Sequence, residues 1–370
     1  MKVCLIAPIP PFRGGIAKYC YSLAQELEKR HELLLLSYRR QYPALLYGKK
    51  PQLDATSDRK TITEEFRRIS YNIDSVSVAS WLATARRIEA FSPDVVILPW
   101  WVTYWTPMYA WLMRRLRKRG ISCILLCINV YEHEDSLFKK ILARFVLRRA
   151  EKMIVHSTLE QAELQAINGT AAVRLHLLPI FSYDSSKPLH SGTTLHLLFF
   201  GFVRPYKGLD LLLRAVAMAA DLDIKLTVVG EFWHGSEEYR LLIHELDISD
   251  RVEIVDRYVA DEEMVGYFAR TDLVVLPYRT TKTSGVIATS YGFGKPVLAT
   301  DVGGFHEVVV DGCTGRLVQP NDPLAIAEGI RWFYNNRQID FEKNINTVVA
   351  QKMSWGSLVN AIEEMANHLL

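Results

Sequence analysis

From its first residues the chain alternates short apolar runs with stretches of helical period, halts once, and then alternates again. The first series of candidate strands is Lys2–Ala7, Glu32–Ser37, Asp94–Leu98, Cys123–Ile128 and Lys152–Val155, with helical patterns such as Ala17–Arg30 and Phe138–Ala150 between them. The second series is Leu195–Phe200, Lys225–Val229, Val252–Val255, Leu273–Leu276 and Pro296–Ala299. Near-continuous apolar strands separated by helices are the pattern of parallel sheets covered on both faces. The interruption, Pro179–Thr194, is rich in Ser, Pro and Gly and reads as a linker. A chain of 370 residues also exceeds what one core usually serves. The expected architecture is α/β, with two Rossmann-like domains at 1–180 and 195–350 and a linker at 181–194. Sheets of this kind bind ligands outside the carboxyl ends of their strands, so a ligand is expected between the two domains.

Composition narrows the class. The chain is 49% apolar and 23% charged, which excludes a disordered or collagen-like chain. Its longest apolar stretches, Asp94–Val102 and Ile121–Val130, are too short to span a bilayer. Met1–Ile6 runs straight into a strand pattern without the apolar core of a signal peptide, so a cytoplasmic setting is expected. The five cysteines, Cys4, Cys20, Cys123, Cys127 and Cys313, sit mostly in apolar surroundings and read as reduced packing residues.

Charge is unevenly spread. Residues 1–190 hold 28 Lys and Arg against 17 Asp and Glu, a balance of +11, while residues 191–370 balance at −8. The first half is therefore expected to meet something anionic. Its densest cluster is Arg114, Arg115, Arg117, Lys118 and Arg119, preceded by the aromatic run Trp100–Trp105 and Trp111. Two readings stand: a solvated helix, or a membrane-facing patch on an anionic lipid surface, which would make the protein peripheral on the inner face of the membrane. No nucleic-acid-binding module is visible, so nucleic acid is not an expected partner.

Three loops at strand ends carry candidate chemistry. Pro8–Ala17 contains Gly14-Gly15 before a helix, where backbone N–H groups and the helix start favour an anion. It has neither a P-loop lysine nor a dinucleotide fingerprint. Phe200–Asp210 sets Arg204 and Lys207 between Gly201 and Gly208 at a strand-to-helix turn, an arrangement suited to a diphosphate. Pro277–Ile287 offers Thr283 and Ser284 followed by Gly285 and Val286 at a helix start, a second anion cradle.

Together these segments resemble the family-4 retaining glycosyltransferases. The likeness rests on Arg204-x-x-Lys207-Gly208, Val229-Gly230-Glu231, Asp272–Pro277 and Gly294-Lys295-Pro296-Val297 through Gly303-Gly304. Gly14-Gly15 and the closing Met353-Ser354-Trp355 fit the same pattern, so it spans essentially the whole chain. The resemblance implies the GT-B fold, two Rossmann-like domains facing across a cleft, with a last helix at 351–370 crossing back to the first domain. It implies transfer of a sugar from a UDP- or GDP-sugar, with retention, to a glycan or lipid-linked acceptor in polysaccharide or glycoconjugate assembly. No metal and no cofactor is implied, the nucleotide sugar being a co-substrate. By the same resemblance Arg204 and Lys207 hold the donor diphosphate. Glu231, Arg257, Tyr258 and Val259 lie near the nucleoside, and Ser284, Gly285 and Val286 contact phosphate or ribose. Gly15 faces the phosphate from the other domain, and His133 and Glu134 line the sugar side.

The sequence departs from the pattern in three places. The family often carries two Glu residues eight apart before the Gly-Lys-Pro-Val segment, and here the positions are Thr281 and Thr289, the latter where the ribose is usually gripped. The Arg that commonly follows the strand glycine is Phe202, with Arg204 two residues on. The frequent His at the end of a first-domain strand is Ile128. A GT-B nucleotide-sugar epimerase and a catalytically inactive homologue therefore stand as alternatives. Asp221-Leu222-Asp223 matches a metal motif of the other major transferase fold but precedes a strand and reads as a loop. His196 reads as a packed core histidine, and Met108 and Met113 with Trp111 as helix packing.

Overall fold

The computed structural model describes residues 1–43, 52–53, 59–131, 136–181, 183, 192–233 and 235–367. It divides into two compact units, Met1–His176 with Trp355–Leu370, and Leu177–Ser354.

The first unit runs β1 (Lys2–Ile6), α1 (Gly15–Arg30), β2 (Glu32–Arg40), α2 (Arg59–Glu65), β3 (Ile69–Asp74), α3 (Val78–Phe91) and β4 (Val95–Trp100). It continues through α4 (Thr106–Arg117), β5 (Ser122–Cys127), α5 (Leu137–Leu147), β6 (Lys152–Val155), α6 (Thr158–Ile167) and β7 (Ala172–Leu175). The strands form one sheet in the order β3-β2-β1-β4-β5-β6-β7, every neighbour parallel. All six residues of β4 are buried, as a strand covered on both faces requires. Helix α1 buries Ala17, Cys20, Leu23, Ala24 and Leu27, one stripe at helical spacing. Ser77, Ser136 and Ser157 cap α3, α5 and α6 through their hydroxyl oxygens.

Part of the aromatic run turns out to be core. Trp100 and Trp105 are each 1% exposed, and Trp105 lies 4.6 Å from the ring of Tyr38 and 6.3 Å from that of Tyr109. Met108 and Met113 are buried beside them, as expected for helix packing. The C-terminal helix, Trp355–Asn367, belongs to this unit and buries Leu358, Val359, Ala361, Ile362 and Met365. Trp355 packs on Tyr19, and Arg30 on α1 donates to Asn360 and Glu363.

The second unit runs β8 (Leu195–Phe200), α7 (Leu209–Met218), β9 (Ile224–Val229), α8 (Glu237–Glu245), β10 (Val252–Val255), α9 (Asp261–Ala269) and β11 (Leu273–Leu276). There follow α10 (Gly285–Gly292), β12 (Val297–Thr300), α11 (Phe305–Val308), β13 (Gly315–Val318), α12 (Pro323–Asn335) and α13 (Phe341–Val348). Its sheet is also all parallel, in the order β10-β9-β8-β11-β12-β13. Residues 177–180 run with this unit, where the Ile180 N–H donates to the Met353 carbonyl at 2.7 Å.

In each sheet the strand order reverses once, between β1 and β4 and between β8 and β11. Loops leaving the two adjacent strands part in opposite directions there and open a crevice at the carboxyl ends. His196 is a correction to the expected core histidine: it lies near the amino end of β8 and is half-buried. Asp221 pairs with Arg331 and Asp223 accepts from Thr194, both at the opposite end of the sheet from the crevice. Among the described residues no helix is long and apolar enough to cross a membrane.

Candidate active site

The crevice of the second unit is framed by the loops after β8, β9 and β11. Beyond β8 the chain turns at Gly201 (φ +98°), passes Arg204 and a 3-10 turn at Pro205–Lys207, and enters α7 through Gly208 (φ +68°). Two glycines are required by space. A Cβ on Gly208 would stand 2.1 Å from the Pro277 carbonyl oxygen, and one on Gly230 2.0 Å from the Gly201 carbonyl oxygen. The three loops thus touch backbone to backbone. The Val203 N–H donates to Glu231 O at 3.0 Å, Trp233 to Val203 O at 3.2 Å, and Arg279 to Tyr206 O at 2.7 Å. The Arg279 guanidinium also grips Asp210 with bonds of 2.8 and 2.7 Å. Burial works against the Asp210 charge, yet those bonds and the Arg279 charge prevail and hold the carboxyl below its usual range. Arg279 is therefore a fastening between loops.

Within this frame Lys207 is buried, 8% exposed, with Nζ 5.4 Å from the centre of the Tyr278 ring. The place a Gly201 side chain would fill is 3.2 Å from Lys207 Nζ and 3.7 Å from Val286 Cγ2 in the first turn of α10. An ammonium group and a helix start thus border one small space. No acidic group sets the Lys207 pKa: burial lowers it from the ordinary lysine value, Tyr206 opposes and Arg204 adds to the fall. A buried charge without a counter-charge costs several kcal/mol, which an arriving anion offsets. At the start of α10 the Ser284 hydroxyl oxygen accepts from the Val286 N–H at 3.2 Å. Gly285 is exposed and the first turn holds no acidic residue, so the helix start keeps its preference for an anion. The Arg204 guanidinium stacks over the Trp233 ring at 4.1 Å.

Sequence reasoning did not single out Trp233 or Tyr278. Trp233 is 41% exposed in the loop between Gly230 and Gly235, and a tryptophan between two glycines directly after a strand was the available signal. Tyr278 gave none, because its role depends on which face of the loop Lys207 occupies.

Other expected residues are scattered around this centre. Glu231 ends the β9 turn and is half-buried. Arg257, Tyr258 and Val259 follow β10 at the sheet edge, where Arg257 is exposed and paired with Glu263, and Val259 is buried. Thr281 is buried and spends its hydroxyl on the Thr283 carbonyl at 2.8 Å. Thr289 is buried in the second turn of α10 against Tyr183. In the first unit Gly14 (φ +99°) precedes α1 at the β1/β4 reversal. Gly15 opens that helix, and neither glycine has a neighbour within 4 Å of the Cβ position. His133 and Glu134 lie outside the described residues.

The basic cluster on α4 is partly neutralised. Arg115 binds Glu89 at 2.6 Å, Arg119 reaches the same carboxylate at 3.6 Å, and Arg117 binds Glu151 at 2.6 Å. Arg114 and Lys118 are exposed. Among the described residues no cluster of His, Cys, Asp and Glu could hold a metal ion.

Two doubly wound parallel sheets, with glycine-rich loops at each reversal, define the GT-B architecture. Residues 14–180 match the glycosyl transferase 4-like domain and residues 194–336 match glycosyl transferases group 1, and the chain belongs to this glycosyltransferase family. An uncharacterised glycosyltransferase of Methanocaldococcus jannaschii is 23% identical over 100% of this chain and 99% of its own length. The D-inositol 3-phosphate glycosyltransferase 1 of Catenulispora acidiphila is 30% identical over 50% of this chain, which spans about half (49%) of that relative. Anabaena HepE in complex with UDP superposes with a TM-score of 0.77 over 100% of both chains at 16% identity. Sucrose-phosphate synthase from Thermosynechococcus elongatus gives 0.71 over 98% of each chain at 18% identity.

Proposed function

We propose that this glycosyltransferase moves a sugar, with retention and without a metal, from a nucleoside-diphosphate donor to a glycan or lipid-linked acceptor. The carrying observation is the buried Lys207 ammonium, without an acidic partner among the described residues, beside the first turn of α10. Lys207 and Arg204 hold the diphosphate, and the Gly285 N–H at the helix start takes a remaining oxygen, with Thr283 and the Ser284 cap on the Val286 N–H shaping the turn. Glu231 and Tyr258 border the nucleoside. The helix start at Gly14-Gly15 is the anion-favouring element of the first unit. HepE has been solved with UDP and with UDP-glucose, which supports a uridine donor as the first to test.

Cleaving the anomeric C–O bond leaves its electron pair on the diphosphate oxygen. Fixed cations at that oxygen interact most strongly as the charge develops, and so lower the barrier. The leaving oxygen then accepts the proton of the acceptor hydroxyl on the same face, so no strong protein base is needed. The acceptor side carries a cytoplasmic, membrane-peripheral reading, to which Arg114 and Lys118 supply attraction and the paired Arg115, Arg117 and Arg119 supply less.

The test is donor hydrolysis with a panel of UDP- and GDP-sugars, which needs no acceptor. One donor is expected to turn over to the free sugar, and Arg204→Ala to lower that rate at least tenfold, from loss of roughly 1.5–3 kcal/mol of charge-assisted contact. Wild-type kinetics in a folded variant would reject this assignment, and release of an epimerised sugar instead would identify an epimerase.

A further inference from the structure

Helix α5 buries one face and leaves a second apolar face open. Ala143, Val146 and Leu147 are buried where α5 packs on α4 and α6. Leu137, Phe138, Ile141 and Phe145 are instead 81, 68, 60 and 45% exposed. Leu137, Ile141 and Phe145 recur every four residues with Phe138 beside them, so they form a single stripe. A solvated helix carries polar groups there.

Cations border the stripe on both sides. Lys140, Arg144 and Arg148 recur every four residues along one edge. On the other edge the Arg149 guanidinium lies 3.5 Å from the centre of the Phe145 ring. No acidic residue occurs between Ser136 and Ala150. Among the described residues Arg144, Arg148 and Arg149 form no ion pair, in contrast to Arg115, Arg117 and Arg119 of α4. A second copy of the chain would press these cations against themselves. An anionic bilayer meets both features, since its acyl boundary takes the stripe and its phosphates take the flanks.

We propose that α5 is an interfacial helix that seats Leu137, Phe138, Ile141 and Phe145 at the headgroup–acyl boundary of an anionic membrane. This rests on the membrane part of the function proposed above, not on the donor chemistry, and it moves the contact from the charges of α4 to the apolar stripe of α5. Because α5 follows β5, its first turn, with the two most exposed side chains, lies toward the carboxyl end of the sheet. That is the end carrying the Gly14-Gly15 loop, where a lipid-linked acceptor would be needed.

The test uses the full chain with vesicles of phosphatidylcholine alone or mixed with phosphatidylglycerol. The wild type should sediment with the anionic vesicles and keep part of that binding at high salt, since apolar contacts are not screened. Replacing Leu137, Phe138, Ile141 and Phe145 together by Gln should lower partitioning at least about tenfold with an unchanged circular-dichroism melt. Arg114→Ala with Lys118→Ala should lower it less than about threefold. Phe138→Trp should shift its emission to the blue on anionic vesicles and be quenched by lipids brominated on the acyl chain. Wild-type binding by the fourfold Gln variant, or no binding by the wild type, overturns the proposal. So does a smaller solution mass of the Gln variant, which would make a second copy the occupant. If the α4 pair alone abolishes binding, the membrane reading survives and the α5 assignment fails.

Discussion

At Lys207 a single side chain sets two opposing tendencies. Among the described residues its buried ammonium has no acidic partner, so it weakens the empty fold and, at the proposed donor site, would strengthen the hold on an anion. Lys207→Met keeps the apolar stem and removes the charge. The variant should melt at the wild-type temperature or higher when empty, and lose most of the stabilisation that UDP confers on the wild type. The lost contact corresponds to at least about tenfold weaker binding. Scanning fluorimetry with and without UDP reads both, and an undiminished UDP shift would place the diphosphate elsewhere. The glycines separate structural need from ligand approach. Gly208→Ala meets both a positive φ of +68° and the Pro277 carbonyl at 2.1 Å, and should cost at least about 1–2 kcal/mol in urea unfolding. Gly15→Ala meets nothing within 4 Å and should stay within about 0.5 kcal/mol.

Among elements, the junction of β6, α1 and the C-terminal helix depends on a neutral histidine. The His156 Nδ1 lies 2.7 Å from the His176 carbonyl, which only accepts, so Nδ1 carries the proton and Nε2 accepts from the Tyr19 hydroxyl at 3.1 Å. The His176 ring in turn meets the Ser357 hydroxyl of the C-terminal helix at 2.8 Å. Burial lowers the His156 pKa from 6.5 to about 4, against the opposing backbone bond to His176. Between those values the unfolded chain takes up a proton that the folded chain refuses, so stability falls as pH drops from 6.5 toward 4. The loss should be on the order of 3 kcal/mol. Urea midpoints at pH 7 and pH 4.5 check it, and His156→Gln should show a smaller difference. An equal difference in the variant would assign the pH dependence to other groups.

For the molecule as a whole, the proposed mechanism assigns the charge that stabilises the leaving group to side chains. Arg204 and Lys207 stand in the loop after β8, where that proposal puts the diphosphate. Donor hydrolysis is accordingly expected to persist after EDTA treatment and dialysis. Loss of the rate with recovery on added Mn²⁺ or Mg²⁺ would show that these two cations do not suffice.

Two parallel sheets were legible in the sequence because their central strands are covered on both faces and read as unbroken apolar runs. The strands at Ile69–Asp74, Ala172–Leu175 and Gly315–Val318 were not; each lies at a sheet edge and is only partly buried, although Val252–Val255, an edge strand too, was read from its sequence. The position of Arg204 and Lys207 was legible too, since glycines between an apolar strand run and a helical period mark a strand-to-helix turn. Tertiary structure alone decided what each cation faces. Arg279 and Lys207 look alike in the sequence, yet Arg279 is held by Asp210 whereas, among the described residues, Lys207 has no acid beside it. Likewise the cations of α4 and α5 belong to one basic half of the chain. Folding brings Glu89 and Glu151 onto the first and leaves four large apolar side chains exposed along the second. Residue type and spacing set the elements and their order, whereas the charge left unpaired and the apolar surface left uncovered depend on neighbours far away in the chain.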